Sequence, residues 1–116
     1  MVEDKLEIYQ MNLKSLEEEK LSIDKKKQDL NLLEYELFDL KKKQRNILEA
    51  LHESWRGEKG RHIMYQMDDE GNRFSQNGTH FIAKENERLD QEMKKINREI
   101  CRIEAEKKVG MANDEI

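Results

Sequence analysis

Apolar residues recur along the first half of the chain at Tyr9, Leu13, Leu16, Ile23, Leu30, Leu33, Leu37, Leu40, Ile47, Leu48, Leu51 and Trp55. The spacings are threes, fours and sevens, the period of a helix that buries one stripe. One column, Tyr9, Leu16, Ile23, Leu30, Leu37, Gln44 and Leu51, repeats every seven residues with a single polar member. Its companion column is weaker, because Lys20, Lys27 and Lys41 fall in it. From Leu33 onward the stripe widens onto Leu40 and Ile47. A strict two-stranded coiled coil holds both columns apolar. This pattern instead predicts a shallow, drifting contact along one helix over about residues 3–53, roughly 75 Å long at ~1.5 Å per residue.

The pattern breaks at Ser54-Trp55-Arg56-Gly57-Glu58-Lys59-Gly60. Glycine tolerates the left-handed conformation that closes a helix, and Glu58 suits the positive end of a new one. Residues 54–60 are therefore the expected turn. Periodicity resumes at Met64, Met67, Phe74, Phe81, Ile82, Leu89, Met93, Ile96, Ile100 and Ile103, which predicts a second helix over about residues 61–108. Gly71 and Gly78 fall on the same stripe. Either they allow close approach within one continuous helix, or 68–79, with its Asn77-Gly78 pair, interrupts it. The stripe keeps its phase on both sides, which favours a continuous helix weakened around 70–79. Residues 110–116 are expected to fray.

Two helices of nearly equal length joined by a short turn predict an all-α, antiparallel two-helix hairpin with coiled-coil-like helices, one domain over 1–109. The core stripe is Leu16, Ile23, Leu30, Leu37 and Leu51 on the first helix. On the second it is Phe74, Phe81, Leu89, Ile96, Ile100 and Ile103. Trp55 is expected to cap the core and to be the costliest side chain to remove. So narrow a stripe leaves apolar surface uncovered, so the hairpin is expected to complete a larger bundle.

Composition sharpens this picture. Of 116 residues 41% are charged and 35% hydrophobic, too little apolar material for a rounded, multilayered core. There is no proline to break a helix. The net charge of −4 comes from interleaved signs, which suits solvated helix faces and gives no bulk reason to bind nucleic acid. The runs Lys25-Lys26-Lys27 and Lys41-Lys42-Lys43 have acidic neighbours and read as solvated faces. The single cysteine, Cys101, excludes an intramolecular disulfide. No stretch approaches the ~20 apolar residues of a membrane span, and the first residues lack a secretory signal pattern. No membrane insertion and a cytoplasmic site of synthesis are expected. His52, His62 and His80 form no metal-ligand spacing, and no phosphate loop, Cys-x-x-Cys pair or nucleophile elbow is present. Neither catalysis, nor a cofactor, nor a metal is expected.

The central Trp55-Arg56-Gly57 between two periodic helices resembles the WXG helical-hairpin superfamily of type VII secretion. Trp55, Gly57, Glu58, Phe74, Phe81, Lys84, Glu85 and Leu89 are similar to the pattern of the small helical partner proteins encoded beside LXG-domain toxins in Firmicutes. The likeness covers about residues 45–105 and is one of pattern. It implies a chaperone-like adaptor that binds the helical LXG domain of a toxin, alone or with a second small WXG-like protein, and helps target it for export, in which it could itself be carried along. Substrates of that system often carry Tyr-x-x-x-Asp/Glu at the end of a second helix. Tyr35 with Asp39 and Tyr65 with Asp69 match the spacing, Tyr65–Asp69 being the better placed. Neither lies at the expected position, so a recognition signal is expected from a partner. The competing expectation is an autonomous coiled-coil homodimer with a structural or regulatory role, its register fixed by Gln44.

Overall fold

The computed structural model describes the backbone of residues 2–55 and 57–114 and the side chains of residues 4–55 and 57–110. Arg56 of the expected turn and residues 115–116 of the expected tail lie outside these residues. Two α-helices, α1 (Val2–Ser54) and α2 (Glu58–Asp114), are joined in an all-α hairpin. Among the described residues there is no strand. α2 is continuous through 70–79 and extends to Asp114, past the expected end at 108. Thr79 Oγ1 donates to the Ser75 carbonyl at 2.9 Å, a back-bond that gives a mid-helix hydroxyl a partner inside the turn-like stretch.

The reversal is tighter than the expected turn. The Trp55 N–H donates to Leu51 O at 2.7 Å at the end of α1, and the Gly57 carbonyl accepts from the Arg61 N–H at 3.0 Å at the start of α2. Glu58 stands in the first turn of α2, as its charge suggested. The expected left-handed glycine is not found at this turn. No described glycine has a positive φ, and a Cβ on Gly57 would meet open space. The glycine that matters at this end is Gly60, where a Cβ would lie 2.7 Å from Trp55 Cβ. Trp55 rests there with 41% of its surface exposed, so it closes the end of the hairpin without being buried in a core.

Contacts divide the hairpin into two compact units, 1–28 with 87–116, and 29–86. The first unit holds a well-formed core of Ile23, Leu89, Ile96, Ile100 and Ile103, with Leu89 only 1% exposed. Leu89, Ile96 and Ile103 stand seven apart, and Ile100 covers the adjacent row. α1 answers with half-buried Leu6, Tyr9, Leu13 and Leu16. Lys20 and Lys27 occupy the weak column, half-buried. Such lysines cover apolar surface with their stems, and the Lys27 ammonium reaches Asp90 across the helix pair.

Other ion pairs decorate single helices: Lys43–Asp39 at 3.1 Å, Arg88–Glu92 at 2.6 Å, and Arg102 with Glu106 at 2.6 Å and with Glu99. The Arg102 hydrogen bond holds the Glu99 carboxyl below its usual range, and the same bond raises Arg102. These groups face water, where such pairs contribute little to stability.

Among the described residues of the second unit, Met64 and Ile82 are the buried ones. Leu30, Leu37, Gln44, Leu48 and Leu51 are half-buried along α1. Phe74 and Phe81, expected in the core, are 63% and 54% exposed. The line of α2 that meets α1 here runs through Gly71, Ser75, Gly78 and Ile82, and each phenylalanine stands one position before Ser75 or Ile82, turned off the contact.

This distribution of burial ranks the side chains. Leu89→Ala should cost about 2–5 kcal/mol, as for a buried leucine. Trp55→Ala should cost about 1–2 kcal/mol, since much of the ring already meets water. Urea unfolding of both variants checks the order, and an equal or larger loss at Trp55 would contradict its exposure.

Candidate interaction surface

The register of the turn-proximal unit is set where α1 side chains meet α2 glycines. The Gln44 amide lies where a Cβ of Gly71 would stand, and Leu37 Cδ2 lies 2.8 Å from the corresponding point on Gly78. The two contacts are one heptad apart on each helix, in opposite directions. Gln44 Nε2 also donates to the Met67 carbonyl at 3.0 Å. The one polar residue of the α1 column is thus bonded to the backbone of α2. Glycine in a helix costs ~1 kcal/mol against alanine. Here the missing Cβ gives Gln44 and Leu37 their seats.

From this register the rest of the unit follows. Leu33, Leu40 and Ile47 lie three residues past the facing positions Leu30, Leu37 and Gln44. Met67, Phe74 and Phe81 lie three past Met64, Gly71 and Gly78. Three residues turn a helix by about 300°, so each row sits about 60° to one side of the contact line. In an antiparallel pair, equal offsets on the two helices fall on the same side of the hairpin. The two rows therefore share one face. By the glycine register Leu40 is level with Phe74, Leu33 with Phe81 and Ile47 with Met67.

The exposures agree with this geometry. The six side chains are 38–63% exposed, whereas Tyr35 and Phe38, pointing elsewhere on α1, are 76% and 71% exposed. Together with the facing column, Leu30, Leu33, Leu37, Leu40, Gln44, Ile47 and Leu51 make an unbroken alternation of threes and fours, the seam of a helix in a bundle. Met64, Met67, Gly71, Phe74, Gly78 and Phe81 do the same on α2. The hairpin covers one column of each seam and leaves the other in water.

The opposite side of this unit is different in kind. Near the turn it carries an open depression of about 700 Å³ lined by Arg45, Glu49, His52, Arg61, Tyr65 and Asp68 among others. Tyr65 is 74% exposed there, and Asp69 is exposed as well. They sit early in α2, and Tyr35 and Asp39 sit midway along α1, so neither pair ends a helix. No group of three His, Cys, Asp or Glu side chains among the described residues is placed to hold a metal ion. No described helix is long and apolar enough to cross a membrane.

Of the expected stripe residues, Ile23, Leu89, Ile96, Ile100 and Ile103 are buried, and Leu16, Leu30, Leu37 and Leu51 are half-buried. Phe74 and Phe81 join Leu33, Leu40, Ile47 and Met67 on the open face. The signal for that face was the widening of the stripe at Leu33. Comparison with protein-family models, curated proteins and solved structures found no match to this chain.

The Gln44–Gly71 contact can be tested by coupling. In a Gln44→Ala background, Gly71→Ala should stabilise the hairpin by ~1 kcal/mol through helix propensity. In the wild type that gain should vanish, because the new Cβ displaces the amide and breaks its hydrogen bond. Identical effects in both backgrounds would show that Gln44 does not rest on Gly71.

Proposed function

We propose that this protein is a non-enzymatic helical adaptor that acts by pairing its turn-proximal unit with the helices of another protein. The observation that carries the reading is the half-used seam. Six side chains averaging about half exposed, at roughly 200 Å² each, put about 600 Å² of apolar surface on one side of the hairpin. That is the upper end of what a monomer ordinarily leaves in water, and patches of this size mark interaction sites. The rows stand at heptad spacing, and heptad rows are what other helices cover.

The partner class comes from the resemblance to the WXG-type hairpins. We propose the helical LXG domain of a type VII secretion toxin as the cargo, with the protein meeting it in the cytoplasm and helping to deliver it for export. Trp55, Gly57 and the exposed Phe74 and Phe81 are the shared features that support this choice. The aromatics gain a reason for facing water if a partner's helices cover them, because large aromatic anchors carry most of the energy at interfaces.

Co-expression with the LXG protein encoded nearest to it provides the test. A defined complex should co-purify. Phe74→Glu should weaken it at least ~30-fold, on the scale of a hot-spot residue, while circular dichroism shows the hairpin intact. A charge on the opposite side, as in Asn72→Asp at an exposed position, should leave it unchanged. Failure to form any complex, or equal effects from both substitutions, would sink the adaptor reading.

A further inference from the structure

We propose that the open face of the turn-proximal unit is also self-complementary, and that without a partner protein it is covered by the same face of a second copy, turns at the same end and α1 of each chain over α2 of the other. The inference rests on the reading of this face as a helix-docking surface and adds how it is occupied before a partner arrives.

The charges beside the rows carry the choice of occupant. The residue preceding each facing position is turned about 100° from the contact and points out of the same side as the apolar rows. On α1 these residues are Asp29, Glu36 and Lys43, and on α2 they include Glu70 and Lys84, all exposed. The sign changes along each helix: acid far from the turn and base near it on α1, the reverse on α2. A copy rotated by two-fold symmetry about the long direction of this unit lays its α2 over this α1. By the Gln44–Gly71 register, Lys43 then meets Glu70 of the other copy, and Lys84 of that copy falls between Asp29 and Glu36. The arrangement is isologous, so every such contact occurs twice. Lys43, which pairs with Asp39 at 3.1 Å in the single chain, would lie between two carboxylates. With the turns at opposite ends, α1 lies over α1 and Lys43 still meets Glu36 of the other copy, but Lys84 faces the neighbourhood of Ile63 and Tyr65 and Glu70 finds no base, so half of the pairs are lost.

The rows fit the same arrangement. Leu40 comes level with the copy's Phe74, Leu33 with its Phe81 and Ile47 with its Met67, so each layer pairs an aliphatic side chain with a larger one. The six side chains supply about 600 Å² per copy, and the flanking charged positions bring this near the ~800 Å² per partner of a standard interface.

Sedimentation equilibrium of the full chain, with circular dichroism on the same samples, tests the proposal. The wild type should be a dimer. Leu40→Glu and Phe74→Glu should each weaken dimerisation at least ~30-fold with helix content retained. Lys43→Glu should weaken it by about threefold to tenfold, as expected for rim charges counted twice. Adding Glu70→Lys should restore it, and this swap carries the test if either of the other variants loses helicity. A monomeric wild type at high micromolar concentration, a dimer indifferent to all four substitutions, or no rescue by the swap would overturn the proposal. A monomer that still captures a helical partner would sink self-pairing alone, whereas a dimer that captures none would sink the adaptor reading alone.

Discussion

The turn-proximal unit depends on the seating of Gln44 and Leu37 on Gly71 and Gly78. A heptad seam with leucines on both sides can slip by one repeat at modest cost, because every repeat looks alike to the next. Here the repeats are not alike. The Gln44 amide needs a position without a Cβ and a carbonyl within reach, and α2 offers both at Gly71 and Met67. Leu37 needs the second gap one heptad on. Sliding α1 by seven residues would leave one of the two without its seat and the Gln44 amide without its acceptor. The face built from Leu33, Leu40, Ile47, Met67, Phe74 and Phe81 exists as matched layers because this register holds them level.

The same apolar repeat is used differently in the two units. Around Leu89, isoleucines on adjacent rows of α2 close over Ile23, and the lysines at positions 20 and 27 reach around the edge with their stems. That unit spends its apolar side chains on its own core. Between buried Met64 and Ile82, the residues opposite α1 are two glycines and a serine, which bury little. The large side chains stand one row aside, in water. Free energy that the hairpin could have gained by placing Phe74 where Gly71 is has been forgone. The result is a thin internal contact with a broad outer face, the arrangement expected where a second pair of helices completes the bundle.

Much of this could be read in the sequence, and the parts that could not have a common cause. Helix existence, the antiparallel pairing and the persistence of α2 through Gly71–Gly78 followed from phase, because a stripe that resumes on the same face after twelve residues is hard to reconcile with a break. The core around Leu89, Ile96 and Ile103 followed from spacing. Which column of a two-column seam meets the neighbouring helix did not follow, since both columns have the same period and differ only by a rotation of about 60°. Phe74 and Phe81 drew attention as the largest apolar residues of their stretch, yet glycine at 71 and 78 decided the contact by letting α1 come close. Trp55 was misplaced for a similar reason. Its size suggested a core, whereas at the end of a two-helix pair there is no third wall to bury it, and Gly60 gives it only a floor.

Gln44 also bears on whether the open face can be covered. A polar residue in an apolar seam normally penalises burial, because its amide loses water without gaining a partner. In this hairpin the Gln44 donor is already bonded to the Met67 carbonyl across the helix pair, at 3.0 Å. Helices laid over Leu40 and Phe74 would therefore dehydrate an amide that already has one donor satisfied, which lowers the usual cost. The hydrogen bond that fixes the register inside the hairpin is the one that readies its outer face for a partner, so a substitution at Gln44 that leaves the hairpin folded should still weaken association.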